Sequence, residues 1–169
     1  MKKFETILPQ EWTGNPFTTI NDDWLLVTVD DGEKVNTMTA SWGSLGILWG
    51  QKVATIYIRP QRFTYSLLEK ADHFSLTVLP DSFRKELNYL GTASGRDEDK
   101  IKTAGLSLQY MDGIPYFDEA RLVFFCDKLY AQPFEARFFN DPSIVKDIYP
   151  DNSFHSLFIG KITKVIQAE

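Results

Sequence analysis

The sequence predicts a mainly β protein, built as an antiparallel β-barrel with short inserted helices. Most segments with a regular pattern are strand-like, and they follow one another at hairpin-like spacing. The helical segments between them are short, whereas a doubly wound parallel sheet alternates strands with longer helices. These observations favour an antiparallel barrel or sandwich, and we take the barrel as the prediction.

The first hairpin is predicted by two strand-like runs on either side of a turn. WLLVTV (24–29) and KVNTMTASW (34–42) flank DDGE, whose Asp31-Gly32 pair is a strong hairpin signal. Glycines at 43, 46 and 50 are expected to break the second strand. Further strands are predicted at 52–60, 73–80, 120–138 and 155–166.

Four short helices are predicted among these strands. Residues 64–71 have the leucines of a short helix, with Thr64 as candidate N-cap. The segments 81–91 and 94–105 each end at a glycine, as helices commonly do. The fourth helix is predicted at 142–150.

Composition restricts the class of protein. With 169 residues, 43% hydrophobic and 24% charged, the chain is expected to form a single domain over 1–169. The net charge of −5 disfavours a general nucleic-acid binder. Cys126 is the only cysteine, which excludes an intrachain disulfide framework. No secretory signal and no apolar run of membrane-spanning length is present, so a cytoplasmic protein without membrane association is expected.

Several well-known catalytic motifs are absent from the sequence. It contains no G-x-G-x-x-G after a strand, no P-loop, no H-E-x-x-H and no G-x-S-x-G. With only His73 and His155 available, a zinc site is not expected, and no metal ligands are assigned. If the protein is an enzyme, a bound organic cofactor is therefore expected to supply the chemistry.

The strand NTMTASW (36–42) presents a row of short hydroxyl groups. Strand alternation separates its side chains into two rows: Thr37, Thr39 and Ser41 on one face, and Met38, Ala40 and Trp42 on the other. Together with Asn36, the hydroxyls could bond the edge of a ring or a polyol chain. The alternative is a strand with one solvated face, in which threonine is simply a good β-former.

Two segments have the composition of anion sites. In IRPQRFTYSLLEK (58–70), Arg59, Arg62 and Thr64 cluster where a strand passes into a helix. In TASGRDEDK (92–100), Ser94 and Asp97 have capping-box spacing, and Arg96 and Lys100 would share one helix face. The alternatives are an ordinary capped helix and a solvated helix start.

Single residues give weaker signals. His155 opens the last strand, where it could orient a ligand, relay a proton or serve a structural role. Cys126 lies among apolar residues and is predicted to be buried. By pattern alone, Trp42 and Trp49 could stack on a ring or fill the core, and the core is the favoured expectation. Taken together, the hydroxyl row and the two anion segments predict a planar ligand with hydroxyl and phosphate groups.

The ordered segments NTMTASWG, IRPQRFTYSLLEK, FSLTVLP, SGRDEDK and HSLFIGKI resemble the flavin reductase-like, flavoredoxin-type FMN-binding proteins. The resemblance runs from about residue 20 to residue 166. It implies a split β-barrel that binds FMN, usually as a homodimer with the flavin near the subunit interface. It also implies an oxidoreductase that takes hydride from NADH or NADPH and passes electrons to free flavin or a partner protein.

The resemblance assigns roles to residues that match the family segments. Residues 36–41 would hold the isoalloxazine edge and ribityl chain, and Trp42 would lie close to the ring. The ribityl and phosphate groups would contact Arg59, Arg62, Thr64, Ser94, Gly95, Arg96 and Lys100. His155 would lie near the flavin as the one candidate catalytic residue.

The chain departs from the family pattern at one position, and the sequence is also compatible with two other functions. Many relatives carry a cysteine just ahead of S-G-R-D, where this chain has Leu90, so a function that needs a thiol there is in doubt. The chain could instead be a non-enzymatic FMN electron carrier. It could also be a binding module that has lost its cofactor on the same barrel.

Overall fold

The computed structural model describes residues 2–169 and contains ten strands. The strands are β1 (Phe4–Ile7), β2 (Leu25–Asp30), β3 (Val35–Ala40), β4 (Gly43–Leu48), β5 (Gln51–Ile58), β6 (His73–Val78), β7 (Leu108–Met111), β8 (Ile114–Phe117), β9 (Leu122–Pro133) and β10 (Ser156–Ala168). The α-helices are α1 (Pro16–Thr18), α2 (Phe63–Lys70), α3 (Arg84–Thr92), α4 (Lys100–Thr103) and α5 (Pro142–Ile148). None of the helices in residues 2–169 has the length and apolar character needed to cross a membrane.

The main sheet is an antiparallel barrel that is open along one line. Its hydrogen-bonded order is β3-β2-β6-β9-β10-β5-β4, and β1 pairs with β10. Strands β3 and β4 form the two ends of this order, yet only Ser41 and Trp42 separate them in sequence. The sheet therefore curls until its ends meet at these two residues without pairing. The predicted antiparallel split barrel is confirmed.

Alternation along each strand fills the barrel interior with one set of apolar side chains. In β2, for example, Leu25, Val27 and Val29 join the central core, whereas Leu26 packs on the outer side. The same alternation recurs in the other strands. The interior residues of β5, β6 and β9 are Ala54, Ile56, Ile58, Phe74, Leu76, Val78, Leu122, Phe124 and Cys126.

Two smaller cores cover the outside of the barrel. Leu87 and Leu90 of α3 share one of these cores with Leu26 of β2, and α3 packs against β3. The β7–β8 hairpin covers the outer face of β9, where Tyr116 packs on Phe125 with ring centroids 5.6 Å apart. Since α3 ends next to the loop that leads to α4, this packing also positions the segment 92–100.

The segment from residue 134 to residue 155 connects β9 to β10 outside the barrel, and we call it the insert. It contains α5 and a chain of aromatic contacts, including Phe139 with Tyr149 at 5.9 Å and Tyr149 with Phe154 at 4.9 Å. Arg59 donates a hydrogen bond to the Ile148 carbonyl at 2.7 Å. The aromatic contacts hold the insert together, and the Arg59 bond attaches it to the end of β5.

The structure corrects several sequence predictions of local structure. Gly43 does not break the strand but begins β4, where a Cβ atom would lie 2.8 Å from the Thr55 carbonyl, so only glycine permits this pairing. The predicted helix 94–105 is reduced to α4, because residues 94–99 form turns and Asp99 caps the Lys102 amide at 3.1 Å. Strands β1, β4, β7 and β8 were not predicted, and Gly46, expected to break a strand, lies within β4.

Two helix caps are also corrected. Thr64 is not the N-cap of α2 but lies in its first turn, and its hydroxyl accepts a hydrogen bond from the Asn36 side-chain amide at 2.9 Å. Ser94 and Asp97 form no capping box, since the Ser94 hydroxyl accepts from the Arg96 amide at 3.2 Å instead. The Asp31-Gly32 turn is confirmed, with Gly32 at φ 88°.

Gly160 of β10 faces the barrel interior at a point with no room for a side chain. A Cβ atom there would lie 2.6 Å from Phe74 Cζ and 2.8 Å from the Cys126 Cβ. We expect Gly160→Ala to lower the free energy of unfolding by about 1–3 kcal/mol, because the core must move to accept a methyl group. Urea unfolding monitored by circular dichroism measures the change.

Gly46 provides the matched control for this substitution. It is also a strand glycine, but a Cβ atom there would meet no atom within 4 Å. Gly46→Ala should therefore leave the free energy of unfolding within about 0.5 kcal/mol of wild type. Equal effects of the two substitutions would contradict the close packing at Gly160.

Candidate functional site

A cleft runs along β3 from the loop before α4 to the point where the barrel is open. Its first part, which we call the cationic end, has a volume of about 90 Å³. Its second part, the tryptophan end, has a volume of about 330 Å³. Met38 and Arg62 line both parts, so the two parts are adjacent.

The cationic end brings together the two segments with anion-site composition. It is lined by Asn36, Met38, Gln61, Arg62, Phe63, Thr64, Thr92, Ala93, Ser94, Gly95 and Lys100. The start of α2 and the segment 92–100 thus line one space, as the resemblance implied, although their sequence patterns taken alone indicated two separate sites. Sequence spacing alone gave no sign that they would meet.

Lys100 is the most unusual residue of the cationic end. Its side chain is only 3% exposed, and Nζ donates hydrogen bonds to the carbonyls of Leu90 at 2.9 Å and Ala93 at 3.0 Å. These carbonyls lie at the C-terminal end of α3, where a cation also interacts favourably with the helix dipole. The lysine therefore joins the end of α3 to the start of α4.

Arg62 adds a second charge beside Lys100. Its Nη2 donates to the Gly91 carbonyl at 2.5 Å, and burial lowers the pKa of the guanidinium. Burial, and secondarily the charge of Arg62, lowers the pKa of Lys100 to about 8, while the charge of Glu98 acts in the opposite direction. Within residues 2–169 neither side chain forms a direct ion pair with a carboxylate. Two partly desolvated cations without a salt-bridge partner are the arrangement expected of an anion site.

Asn36 and Gly95 bring the walls of the cationic end close together. The Asn36 amide donates to the Thr64 hydroxyl, and a Cβ atom on Gly95 would lie 2.1 Å from Asn36 Oδ1. Only glycine fits there, so the backbone of the segment 92–100 approaches β3 directly. Lys34 Nζ also donates to the Gly95 carbonyl at 3.4 Å.

Arg96 lies apart from Arg62 and Lys100. It is exposed, donates to the Gln61 carbonyl at 2.9 Å and stacks over the Phe63 ring at 5.1 Å. Together with Lys100 it lines a neighbouring cavity of about 700 Å³, but it does not line the cationic end. The prediction that Arg96 and Lys100 share one helix face is wrong, because Arg96 lies in the turns before α4.

The hydroxyl row of β3 is mostly used inside the protein. The Thr37 hydroxyl is fully buried, 2.9 Å from the Thr28 hydroxyl and 3.2 Å from the Val27 carbonyl. Thr39 donates to the Leu87 carbonyl at 2.6 Å, which fixes α3 on β3. Ser41 has no hydrogen-bond partner in the described part of the chain and lines the tryptophan end. The structure therefore leaves Thr37 outside the cleft, while Met38, Thr39, Ala40 and Ser41 line it.

The tryptophan end is formed where the barrel is open. Trp42 is 47% exposed, and its ring lies 5.0 Å from the ring of His155. Trp49 is 58% exposed, so the prediction that these two tryptophans fill the core is wrong. Cys126, in contrast, is buried as predicted, and burial raises the pKa of its thiol.

His155, the last residue of the insert, is held at the tryptophan end by Tyr149. Its Nδ1 lies 2.9 Å from the Tyr149 hydroxyl, and burial, followed by the charge of Arg59, lowers its pKa to about 4. The imidazole is therefore neutral at pH 7. Arg59 lines the same end, 4.0 Å from the Asp151 carboxylate.

Sequence reasoning missed several residues in or next to the cleft, among them two tyrosines. Tyr57 lines the tryptophan end, and Tyr149 orients His155 from the insert. Tyr57 lies two residues before Arg59, and residues two apart in a strand face the same side. This spacing was the available signal. Tyr149 is brought to the site by the insert, whose path the sequence does not indicate.

The residues of the cleft fit a phosphorylated, planar cofactor. The cationic end offers unpaired charge and a close backbone approach at Gly95, as a phosphate requires. The tryptophan end offers aromatic and hydroxyl groups about one strand length away. Both ends lie along β3, so one ligand could contact them at the same time.

Comparison with known proteins agrees with this geometry. Residues 19–169 match the family model described as flavin reductase like domain. The FMN-binding protein from Thermus thermophilus with bound p-hydroxybenzaldehyde is 26% identical, with a TM-score of 0.68 over 96% of this chain and 78% of that one.

Two further solved structures share the fold at lower identity. The flavoredoxin of Desulfovibrio vulgaris (Miyazaki F) is 19% identical, with a TM-score of 0.66 over 100% of this chain and 77% of that one. The NADH:FAD oxidoreductase of Streptomyces globisporus C-1027, in complex with NAD and FAD fragments, is 17% identical, with a TM-score of 0.63 over 86% and 74%. The resemblance drawn from the sequence is confirmed, and the chain belongs to the flavin reductase like domain family.

Proposed function

We propose that this protein binds FMN in the cleft along β3 and acts as an NAD(P)H-dependent oxidoreductase of flavin reductase type. The observation that carries the proposal is the buried, unpaired charge of Lys100 beside Arg62. An anion placed between them would supply the missing counterion. The family of the chain and the FMN-binding relative from Thermus thermophilus support FMN as that anion.

In this proposal the phosphate group lies at the cationic end. Arg62 and Lys100 supply charge, and Ser94, Gly95 and Thr64 supply hydroxyl and backbone groups. Arg96, which does not line the cationic end, contributes mainly by holding the segment 92–100 to the start of α2. The ribityl chain and ring would follow residues 36–42 of β3 towards Trp42, with Thr37 acting through the hydrogen bond that fixes β3 to β2.

The chemistry that FMN supplies when bound is acceptance of hydride from a reduced nicotinamide and transfer of electrons to an acceptor. The protein contributes orientation at the tryptophan end and partial exclusion of water. Trp42 and His155 stand side by side there, and Tyr149 fixes the imidazole. Because His155 is neutral at pH 7, it positions groups through hydrogen bonding and contact rather than through charge.

A second candidate function is a non-enzymatic FMN electron carrier. The likeness of fold to a flavoredoxin supports this alternative. The visible absorption spectrum of the protein with FMN, recorded before and after anaerobic addition of NADH or NADPH, tests both functions. Prompt bleaching of bound flavin supports a reductase and identifies its donor. Bound flavin that resists both donors indicates a carrier, and absence of bound flavin overturns both.

Removal of the Lys100 charge tests the phosphate site. Lys100→Gln keeps a hydrogen-bond donor near the Leu90 and Ala93 carbonyls but removes the cation. We expect FMN binding to weaken by about 1.5–3 kcal/mol, because a charge-assisted hydrogen bond is lost. Quenching of flavin fluorescence measures the dissociation constant.

Lys102→Gln is the matched control, since it removes the same charge from an exposed position of the same helix. It should change FMN affinity by less than about 0.5 kcal/mol. Equal losses in both variants would indicate general electrostatics rather than a phosphate site at Lys100.

The pH dependence of binding gives an independent readout of the same residue. Lys100 loses its proton as pH rises through its pKa of about 8, whereas the phosphate of FMN stays charged. FMN affinity of the wild type should therefore fall by roughly tenfold between pH 7 and pH 9. Lys100→Gln should show a flat profile over the same range, and a parallel decline in both proteins would refute the assignment.

For His155→Ala we expect retention of FMN with slower reduction, because Trp42 loses the ring that packs beside it. His73→Ala, at an exposed histidine paired with Asp127, serves as control and should leave the rate unchanged. Since the pKa of His155 is about 4, the wild-type rate should not titrate near pH 6.5. Stopped-flow absorbance measures the rate, and a wild-type rate in His155→Ala would make this residue purely structural.

A homodimer is part of the proposal, and an exposed apolar surface supports it. We call this surface the hairpin patch, formed by Ile47, Leu48, Trp49, Leu129 and Tyr130. Trp49 and Gly50 form the two-residue turn between β4 and β5, at φ 52° and 69°. A tryptophan is strained at such a φ, and asparagine is the residue usually preferred there. The retention of a bulky ring in this turn, 6.3 Å from Tyr130, points to a contact surface.

Trp49→Asn tests this surface without stressing the turn. We expect the substitution to leave the fold intact, as judged by circular dichroism, and to shift the protein towards monomer in multi-angle light scattering. Phe138→Asn removes another exposed ring outside the hairpin patch and should leave the oligomeric state unchanged. A Trp49→Asn protein that remains as dimeric as wild type would exclude the hairpin patch as the interface.

A further inference from the structure

A second cavity, which we call the apolar cavity, opens beside the tryptophan end of the cleft. Its volume is about 490 Å³, within the usual range for small-molecule sites. Ser41, Trp42 and Tyr57 line both the cleft and the apolar cavity, so the two spaces are contiguous. The remaining walls come from residues 16–21, β4 and the insert.

The walls of the apolar cavity contain no charged side chain in the described part of the chain. A charged molecule that entered it would lose hydration without gaining a counterion, which is unfavourable. The cationic end of the neighbouring cleft has the opposite character, because two cations line it and it has no apolar wall of comparable size. The two spaces therefore select for ligands of different charge.

The shape of the walls favours a planar molecule. The rings of Tyr57 and Phe134 lie 5.6 Å apart, and those of Phe139 and Tyr149 lie 5.9 Å apart. Aromatic walls of this kind bind flat rings by stacked or edge contacts. The hydroxyls of Tyr57 and Ser41 have no hydrogen-bond partner within residues 2–169, so each can bond one polar group of a ligand.

We propose that the apolar cavity is the binding site for a neutral, planar, mostly apolar small molecule with one or two hydrogen-bonding groups. This inference rests on the proposed function, in which the molecule is a substrate held next to the ring end of the cofactor. Tyr57 and Ser41 orient its polar group, and the aromatic rings of the insert cover its face. The absence of charge at the walls makes this site discriminate against anionic analogues of the same shape.

The experiment compares two ligands of similar shape and different charge at pH 7. The neutral 2-naphthol and the anionic 2-naphthoate are titrated into the full chain, with and without saturating FMN, and binding is followed by calorimetry. We expect 2-naphthol to bind at least about tenfold more tightly than 2-naphthoate, because only the anion loses hydration without a partner. Equal affinities for the two ligands would overturn the proposal.

Two substitutions on α5 place the site. Ile144 lines the apolar cavity and is 42% exposed, whereas Ile148 is 37% exposed on the same helix and lines neither space. Ile144→Asp should weaken 2-naphthol binding by about tenfold or more, and Ile148→Asp by less than about twofold. Equal effects, or binding that appears only when dimers are diluted to monomers, would overturn the assignment.

Failure of this inference is distinguishable from failure of the proposed function. Binding of 2-naphthol to the FMN-free protein without any binding of FMN would support the apolar cavity and refute the cofactor. Binding of FMN without any binding of 2-naphthol to either form would refute the apolar cavity alone.

Discussion

Lys100 carries its ammonium group into the protein interior, where it bonds the carbonyls at the end of α3 and lies beside Arg62. The cost of burying this charge without a carboxylate is offset only in part by those carbonyls. The same bonds determine where the segment 92–100 lies, and therefore how closely Gly95 approaches Asn36. The geometry of the cationic end thus depends on one buried amine, and the binding of an anion would relieve the electrostatic cost that the fold leaves there.

The split in the barrel matters as much as the charge. A fully closed barrel would pair β3 with β4 and bury the residues between them. Here the chain passes from one end of the sheet to the other through Ser41 and Trp42, and both remain accessible. The cleft and the apolar cavity meet at these two residues. Because β3 and β4 do not pair with each other, the residues between them stay free for contact with ligands.

The sequence predicted the barrel and most of its strands, because β-branched runs, Asp-Gly and proline are local signals. It also identified the segments that carry Arg62, Thr64 and Lys100. That the two anion segments form one site came from the family resemblance and not from their own patterns, since it depends on how α3 packs on β3. The sequence did not show that the Thr37 hydroxyl is used by Thr28, because cross-strand partners are set by register. Tyr149 could not be found, because its contact with His155 depends on the path of the chain within the insert.

Arg59 connects the end of β5 to the insert. Its guanidinium is already engaged by the Ile148 carbonyl at the end of α5. A ligand that takes a hydrogen bond from this arginine has to compete with that carbonyl, so its measured affinity includes the free energy of releasing or reorienting the insert. Occupancy of the cleft and mobility of the insert are in this way thermodynamically linked. Amide hydrogen exchange in α5 would consequently change with a ligand that never contacts it.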